Sequence, residues 1–152
     1  VVPYSYLERG SDERQYCSPG LDLPVITFCR TKFGEYPQYH TSADDLTIVS
    51  ESGLISSLSV LKNIIDAFEV CLYPRSTNLC EPQLGKRNLY PNLSTTVTVH
   101  PAKLRSDILA YANGSNSIFT ISTIINVPLS LVTAEIRLLL DHNLVESVYS
   151  CI

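Results

Sequence analysis

Three short stretches of this sequence hold side chains whose types and spacing can do chemistry. The first is Ser11-Asp12-Glu13-Arg14, two acids followed by a guanidinium. Such a set can bind charged groups of a substrate or hold the carboxylates that ligate a metal. Equally, Asp12 and Glu13 can be the acidic first turn of a helix, where they complement its positive end. The second stretch is His40-Thr41-Ser42-Ala43-Asp44-Asp45. A lone imidazole in a polar, Tyr-rich loop is a candidate zinc ligand, since neutral imidazole suits that ion; a surface or satisfied core histidine is the ordinary alternative. Asp44 can orient such a ring as an outer acceptor or cap a turn. The third stretch, Glu81-Pro82-Gln83-Leu84-Gly85-Lys86-Arg87, sets an acid near two adjacent bases. Lys86 and Arg87 can pair with an anionic substrate group or belong to a solvated linker.

These side chains need elements to position them. Residues 11–19 suit a short helix, capped by Ser11 or Asp12 and ended by Pro19-Gly20. Leu23-Pro24-Val25-Ile26-Thr27-Phe28-Cys29 is a continuous apolar run rich in β-branched residues, which predicts a strand buried on both faces. Ligands in open α/β sheets gather at the carboxyl ends of strands, which is where a loop ending at His40 would lie. From Leu54 to Tyr73 the residues Leu54, Leu58, Leu61, Ile64, Ile65, Phe68 and Leu72 recur at helical spacing, a long amphipathic helix stopped by Pro74. Residues 75–99 are rich in Pro, Asn, Ser and Thr and read as a connecting segment.

The last third changes character. Ala102–Ala112 is a helix ended by Asn113-Gly114, Phe119–Ile125 is a second, and Asn126-Val127-Pro128 makes a tight turn. Leu129–Asp141 is a third helix, favoured at its start by Pro128, and Leu144–Tyr149 alternates as a strand does. Helix, helix, turn, helix, strand is the order of a winged helix-turn-helix over residues 100–152.

Of the 152 residues, 45% are hydrophobic and 17% charged, enough apolar material for a core. A net charge of -4 opposes nucleic acid as the main partner, because phosphate binding needs a basic surface. No run approaches the roughly 20 apolar residues of a membrane span, and Val1-Val2-Pro3 leads straight into polar residues rather than a signal peptide. With no Met anywhere, the chain reads as a fragment or a processed product. Five cysteines (Cys17, Cys29, Cys71, Cys80, Cys151) without a close pair predict mostly buried, free thiols in a reducing, cytoplasmic setting. One loop bridge, for example from Cys71 to Cys80, is the alternative. Asn92-Leu93-Ser94 and Asn113-Gly114-Ser115 fit the glycosylation sequon, a weak signal without secretion.

Taken together, Gly10-Ser11-Asp12, Gly20-Leu21-Asp22-Leu23-Pro24-Val25 and His40-Thr41-Ser42-Ala43-Asp44 resemble the end of the catalytic domain in the dinuclear-zinc aminopeptidase family that also contains the glutaminyl cyclases. There a Ser-Asp-His helix leads into a Gly-x-Pro-Val strand, then into a His-Thr-x-x-Asp-Thr loop whose His is the last zinc ligand. Glu13 stands where that family has a His, so this chain has no imidazole at that position. A closer resemblance rests on residues 9–16, Tyr39-His40-Thr41-Ser42, residues 81–87 and the terminal helix-turn-helix. It is to a bacterial group of aminopeptidase-like proteins ending in a winged helix and often labelled as polysaccharide-biosynthesis proteins.

The resemblance implies an α/β fold: residues 1–74 as the C-terminal segment of an α/β/α zinc-peptidase-like domain, followed by the winged helix. It makes His40 a zinc ligand, with two zinc ions in the complete parent site and the remaining ligands and general-base Glu upstream. Asp12, Glu13, Arg14, Asp44, Lys86 and Arg87 become outer-sphere or substrate-binding residues. The implied partners are the upstream portion of the same domain and a peptide-like or amino-group-bearing small substrate. The chain alone would not turn over a peptide, because a hydrolytic metal site needs several ligands and a base. A non-catalytic interaction module is the rival reading, and a DNA-binding regulator the weakest. Against DNA stand three bases (Lys103, Arg105, Arg137) facing four acids (Asp107, Glu135, Asp141, Glu146) in residues 100–152, and a third helix without the Arg, Lys, Asn and Gln cluster that reads base edges. Leu129, Val132, Ile136 and Leu139 of that helix would face either its own core or a second subunit, which leaves a homo-oligomer open.

Overall fold

The computed structural model describes residues 3–8, 10–90 and 100–148. The sequon at Asn92, Arg9 of the second resemblance, and Cys151 lie outside the described residues. The chain divides into two units, Val1–Gly53 and Leu54–Ile152.

The first unit is built mainly from turns. It holds a 3-10 helix at Tyr6–Glu8 and a one-turn helix, α1 (Glu13–Tyr16), with Asp12 at its N-cap and Cys17 at its C-cap. The strand expected at Leu23–Cys29 does not form among the described residues. A strand is defined by a ladder partner, and here Leu23 N–H donates to Tyr16 O (2.9 Å) and Val25 N–H to Leu23 O (2.8 Å), while Ile26–Cys29 make no backbone–backbone hydrogen bond. Nor is the run buried: Ile26 is 78% exposed. The one buried residue described in this unit is Glu13, so its order comes from polar and aromatic contacts rather than an apolar core.

The second unit has a true core. The long helix α2 (Glu51–Val70), whose first turn lies in the first unit, ends four residues before Pro74, and Pro74 opens a strand instead of stopping the helix. That strand, β1 (Pro74–Ser76), pairs antiparallel with β2 (Val145–Ser147) in the register Pro74↔Ser147, Arg75↔Glu146 and Ser76↔Val145. On its other side Arg75 bridges Asn113. Part of the expected connection is therefore a structural strand, and a 3-10 helix at Leu84–Arg87 follows it. Three helices complete the unit: α3 (Pro101–Tyr111), α4 (Ile118–Ile124) and α5 (Leu129–Asp141).

Local chemistry explains these boundaries. Pro101 sits in the first turn of α3, where its missing N–H costs nothing. Ser117 caps α4 by accepting from Thr120 N–H at 3.1 Å. Asn126 and Asn143 take left-handed φ values of 53° and 54° just past α4 and α5, a conformation Asn tolerates. Pro128 occupies the N-cap of α5 rather than its first turn. Val132, Ile136 and Leu139, spaced along one face of α5, are fully buried with Ile108, Ile118, Ile121 and Leu144. They face their own core, as the first of the two alternatives had it.

Among the described cysteines Cys17, Cys29, Cys71 and Cys80 are free, and only Cys71 is buried; burial of the other three does not hold. No single described helix is long and apolar enough to cross a membrane. Helices α4 and α5 reach the required apolar length only as a pair bent by 118°, and most of their large apolar residues, though not Ile124 or Leu131, belong to the core.

Candidate functional site

The loop that carries His40 is a succession of tight turns. Tyr39 N–H donates to Tyr36 O (3.3 Å), and Thr41 donates to Gln38 O through both its amide (3.0 Å) and its hydroxyl (2.7 Å). Closing the Gln38–Thr41 turn forces His40 to a φ of 59°, a left-handed conformation in which His is enriched among non-glycine residues. Its imidazole stacks on Tyr39 with ring centroids 4.0 Å apart and planes 16° from parallel. Tyr39 is in turn met edge-on by Tyr36 (5.7 Å, 73°) and at a tilt by Phe33 (6.1 Å, 36°). The sequence pointed to His40 but passed over this aromatic support; the Tyr-rich character of the loop was the available signal.

The His40 side chain is exposed and has no hydrogen-bond partner among the described residues. Its ring nitrogens are therefore uncommitted: one is open to a metal, while the outer hydrogen bond that usually orients a metal-ligating imidazole is not made among the described residues. Asp44 does not reach the imidazole. It accepts instead from Tyr36 Oη at 3.4 Å, and burial together with the Asp44 charge holds the Tyr36 phenol above its ordinary value. Nor is Asp44 a turn cap, because the neighbouring Asp45 takes that place. Asp45 accepts from Thr47 Oγ1 (2.7 Å) and Thr47 N–H (2.8 Å), and those two bonds hold its carboxyl below the usual value.

The Asp12–Arg14 cluster separates into distinct roles. Asp12 is exposed at the N-cap of α1 without a side-chain capping bond. Glu13 is 2% exposed and folds back to accept from Ser11 N–H (3.4 Å) and Thr27 Oγ1 (3.1 Å). Burial pushes its carboxyl up, but hydrogen bonds from its own amide, Thr27, Ser11 and Gly10 outweigh it and hold the pKa below normal. Glu13 thereby ties the start of α1 to the Leu23–Cys29 segment. The Arg14 guanidinium lies 5.3 Å from the centre of the Tyr6 ring, and Tyr6 Oη donates to Arg14 O at 3.2 Å.

Lys86 and Arg87 belong to the second unit. Their 3-10 helix is anchored by Leu84, 2% exposed in the core, and Leu89 closes it through a 3.1 Å bond to Leu84 O. Lys86 is exposed and Arg87 half-buried, and neither has an ion-pair partner among the described residues. A cavity of about 330 Å³ opens beside the preceding loop, lined by Ser76, Asn78, Cys80, Glu81 and Ser106. In it the Glu81 carboxylate accepts from Ser106 Oγ at 2.7 Å. Among the described residues no three His, Cys, Asp or Glu side chains converge to hold a metal, so His40 fits as a single donor and not as part of a closed site.

Comparison with known proteins finds two family matches that meet at residue 71, later in the chain than the boundary between the two units. Residues 2–70 match a domain family described as of unknown function (DUF4910), and residues 72–147 match the winged helix-turn-helix family. Over 82 residues the chain is 44% identical to a Clostridium acetobutylicum protein described as a polysaccharide biosynthesis protein with an aminopeptidase-like domain; the match covers 53% of this chain and 19% of the relative. A solved structure from Clostridium acetobutylicum, described as a peptidase, superposes with a TM-score of 0.65 and 28% identity over 92% of this chain and 30% of its own. The chain thus covers under a third of either relative.

Proposed function

We propose, for a chain that belongs to the winged helix-turn-helix family through residues 72–147, that the part ahead of that domain is the closing segment of a zinc-dependent, aminopeptidase-like hydrolase of α/β/α architecture. The observation that carries the reading is His40. Its imidazole is exposed, uncommitted and braced on Tyr39 in the motif His-Thr-Ser-Ala-Asp. The peptidase-like relatives support the reaction class.

In this reading His40 supplies one ligand, and the other ligands and the general-base carboxylate come from the rest of the domain. Zinc, when bound, polarises the scissile carbonyl and activates water. This chain's own residues act around it. Tyr39 fixes the plane of the His40 ring, Tyr36 holds Asp44, and Glu13 fixes the turn before the segment that leads to the loop. Asp12, exposed at the start of α1, can meet a charged group of a substrate, and in the second unit, taken by itself, Lys86 and Arg87 can do the same for an anionic one. The substrate is peptide-like or a small molecule bearing an amino group, and the relative's name places such a domain in polysaccharide biosynthesis.

The test is elemental analysis and hydrolysis of an aminoacyl reporter by the complete domain, native and with His40→Ala. Loss of zinc and of turnover supports the assignment. Unchanged metal stoichiometry removes it, and a complete domain that binds no metal at all favours a non-catalytic module.

A further inference from the structure

A helix on a folded unit turns its large apolar residues inward and its polar ones outward. The helix α2 does the reverse. Leu54, Leu58, Leu61, Ile65 and Phe68 recur at alternating steps of four and three residues, the seam of a packed helix. All five are between 38% and 67% exposed. Toward the second unit's core α2 presents chiefly its last turns: Ala67 is its buried residue, Val70 packs against the core, Phe68 at the end of the stripe lies against Phe119 of α4 (5.4 Å between ring centroids), and Asn63 and Asp66 line a cleft with Ser130, Thr133 and Arg137 of α5. An ordered stripe of this kind on a surface marks an interface.

Two observations say what covers it. The domain match at residues 2–70 ends at the last residue of α2, so by sequence this helix belongs with the peptidase-like part even though its contacts place residues 54–70 in the second unit. In the first unit the same domain shows a second deficit, the exposed, unpaired run Ile26–Cys29. Each of these elements leaves large apolar side chains exposed, while the peptidase-like neighbour holds this arrangement within a chain of which it fills 30%. We infer that the Leu54–Phe68 seam of α2 is the surface on which the remainder of the aminopeptidase-like domain docks, through an apolar helix or sheet face. The identity of the occupant rests on the reading above.

Hydroxyl-radical footprinting tests this without substitutions, because it reports the exposure of Leu, Ile and Phe side chains directly. It is run on the 152-residue chain and on the same sequence joined to a complete aminopeptidase-like domain, with oligomeric state followed in parallel. Leu54, Leu58 and Ile65 should be oxidised readily in the short chain and several-fold more slowly in the complete domain, while Tyr111 and Leu131 stay unchanged. Equal oxidation in both overturns the inference. So does protection already present in the 152-residue chain, whether by its own residues or by a second copy. Should the joined protein not fold, the intact Clostridium acetobutylicum relative, read at the helix equivalent to α2, gives the same two outcomes. Zinc content of the same samples separates the two readings: protection without zinc keeps the docking surface and removes the metal, and zinc without protection does the opposite.

Discussion

Arg105 of α3 reaches across to α5, where its Nε donates to Glu135 Oε2 at 2.7 Å and its Nη2 to Oε1 at 3.4 Å. Its Nη1 donates as well to the carbonyl of Leu89, behind the 3-10 helix of Lys86 and Arg87. The two side chains are 13% and 19% exposed, the most enclosed of the ion pairs described. One guanidinium thus joins two helices and a loop in the geometry that a fork of donors permits and an ammonium does not.

Arg105→Ala should therefore destabilise the second unit by about 2 kcal/mol, between the small value of an exposed pair and the larger one of a fully buried pair. Arg105→Lys should recover only part of the loss. Urea unfolding of both variants, and of the double variant with Glu135→Ala, measures the coupling. Additive losses in the double variant would show that the pair contributes nothing as a pair.

Glu13 gives the first unit a pH dependence of defined sign. Its folded pKa is lowered, so between that value and the ordinary carboxylate value the unfolded chain binds the extra proton. The stabilisation is complete above the unfolded-state pKa and disappears as pH falls through the folded one. Hydrogen exchange over residues 10–28 should quicken as pH is lowered through this window, after correction for intrinsic rates. In Glu13→Gln that acid-induced opening should vanish, with faster exchange at neutral pH. An identical pH response in the variant would remove Glu13 from the account.

The second unit was largely legible in the sequence, and the physical reason is local. Its helix limits are written in residues that act within one turn: Ser117 as cap, Asn126 and Asn143 as left-handed ends, and the buried spacing of Val132, Ile136 and Leu139. The strand β1 was not legible, because a three-residue strand beginning at Pro74 draws its existence from β2, some seventy residues away. The run Leu23–Cys29 erred in the other direction. Its composition is that of a buried strand, but a ladder and burial depend on other elements, and among the described residues no strand pairs with it and Ile26 stays exposed. At the candidate site the residue types gave His40, whereas its stacking on Tyr39 and the transfer of Asp44 to Tyr36 depend on turn geometry.

The 152-residue chain by itself should bind zinc weakly and cleave no aminoacyl reporter. Structural and catalytic zinc sites need three or four convergent ligands, and no such group occurs among the described residues. Isothermal titration with zinc and a reporter assay, each with His40→Ala beside it, check this. Metal-dependent turnover by the short chain would mean that the site is built from other residues than those assigned.

The winged-helix unit should not bind duplex DNA. Three of the bases in residues 72–147 are already engaged, Lys103 with Asp107 at 2.5 Å, Arg105 with Glu135, and Arg75 with Glu146 at 2.6 Å, while Lys86 and Arg87 have no ion-pair partner among the described residues and lie outside α5. Arg137 is the long basic side chain of α5, without an ion-pair partner among the described residues, and it shares its cleft with Asp66 of α2. The helix that would enter a groove therefore has α2 beside its first turns, where base contacts are normally made. Phosphate contacts dominate affinity for DNA and weaken steeply with salt, so a titration against mixed duplex at low ionic strength exposes any attraction at its strongest. No binding at micromolar protein is expected there, with or without Arg105→Ala and Arg137→Ala. Binding that falls as salt is added and disappears in Arg137→Ala would show that α2 can leave α5, and that this unit reads nucleic acid once it does.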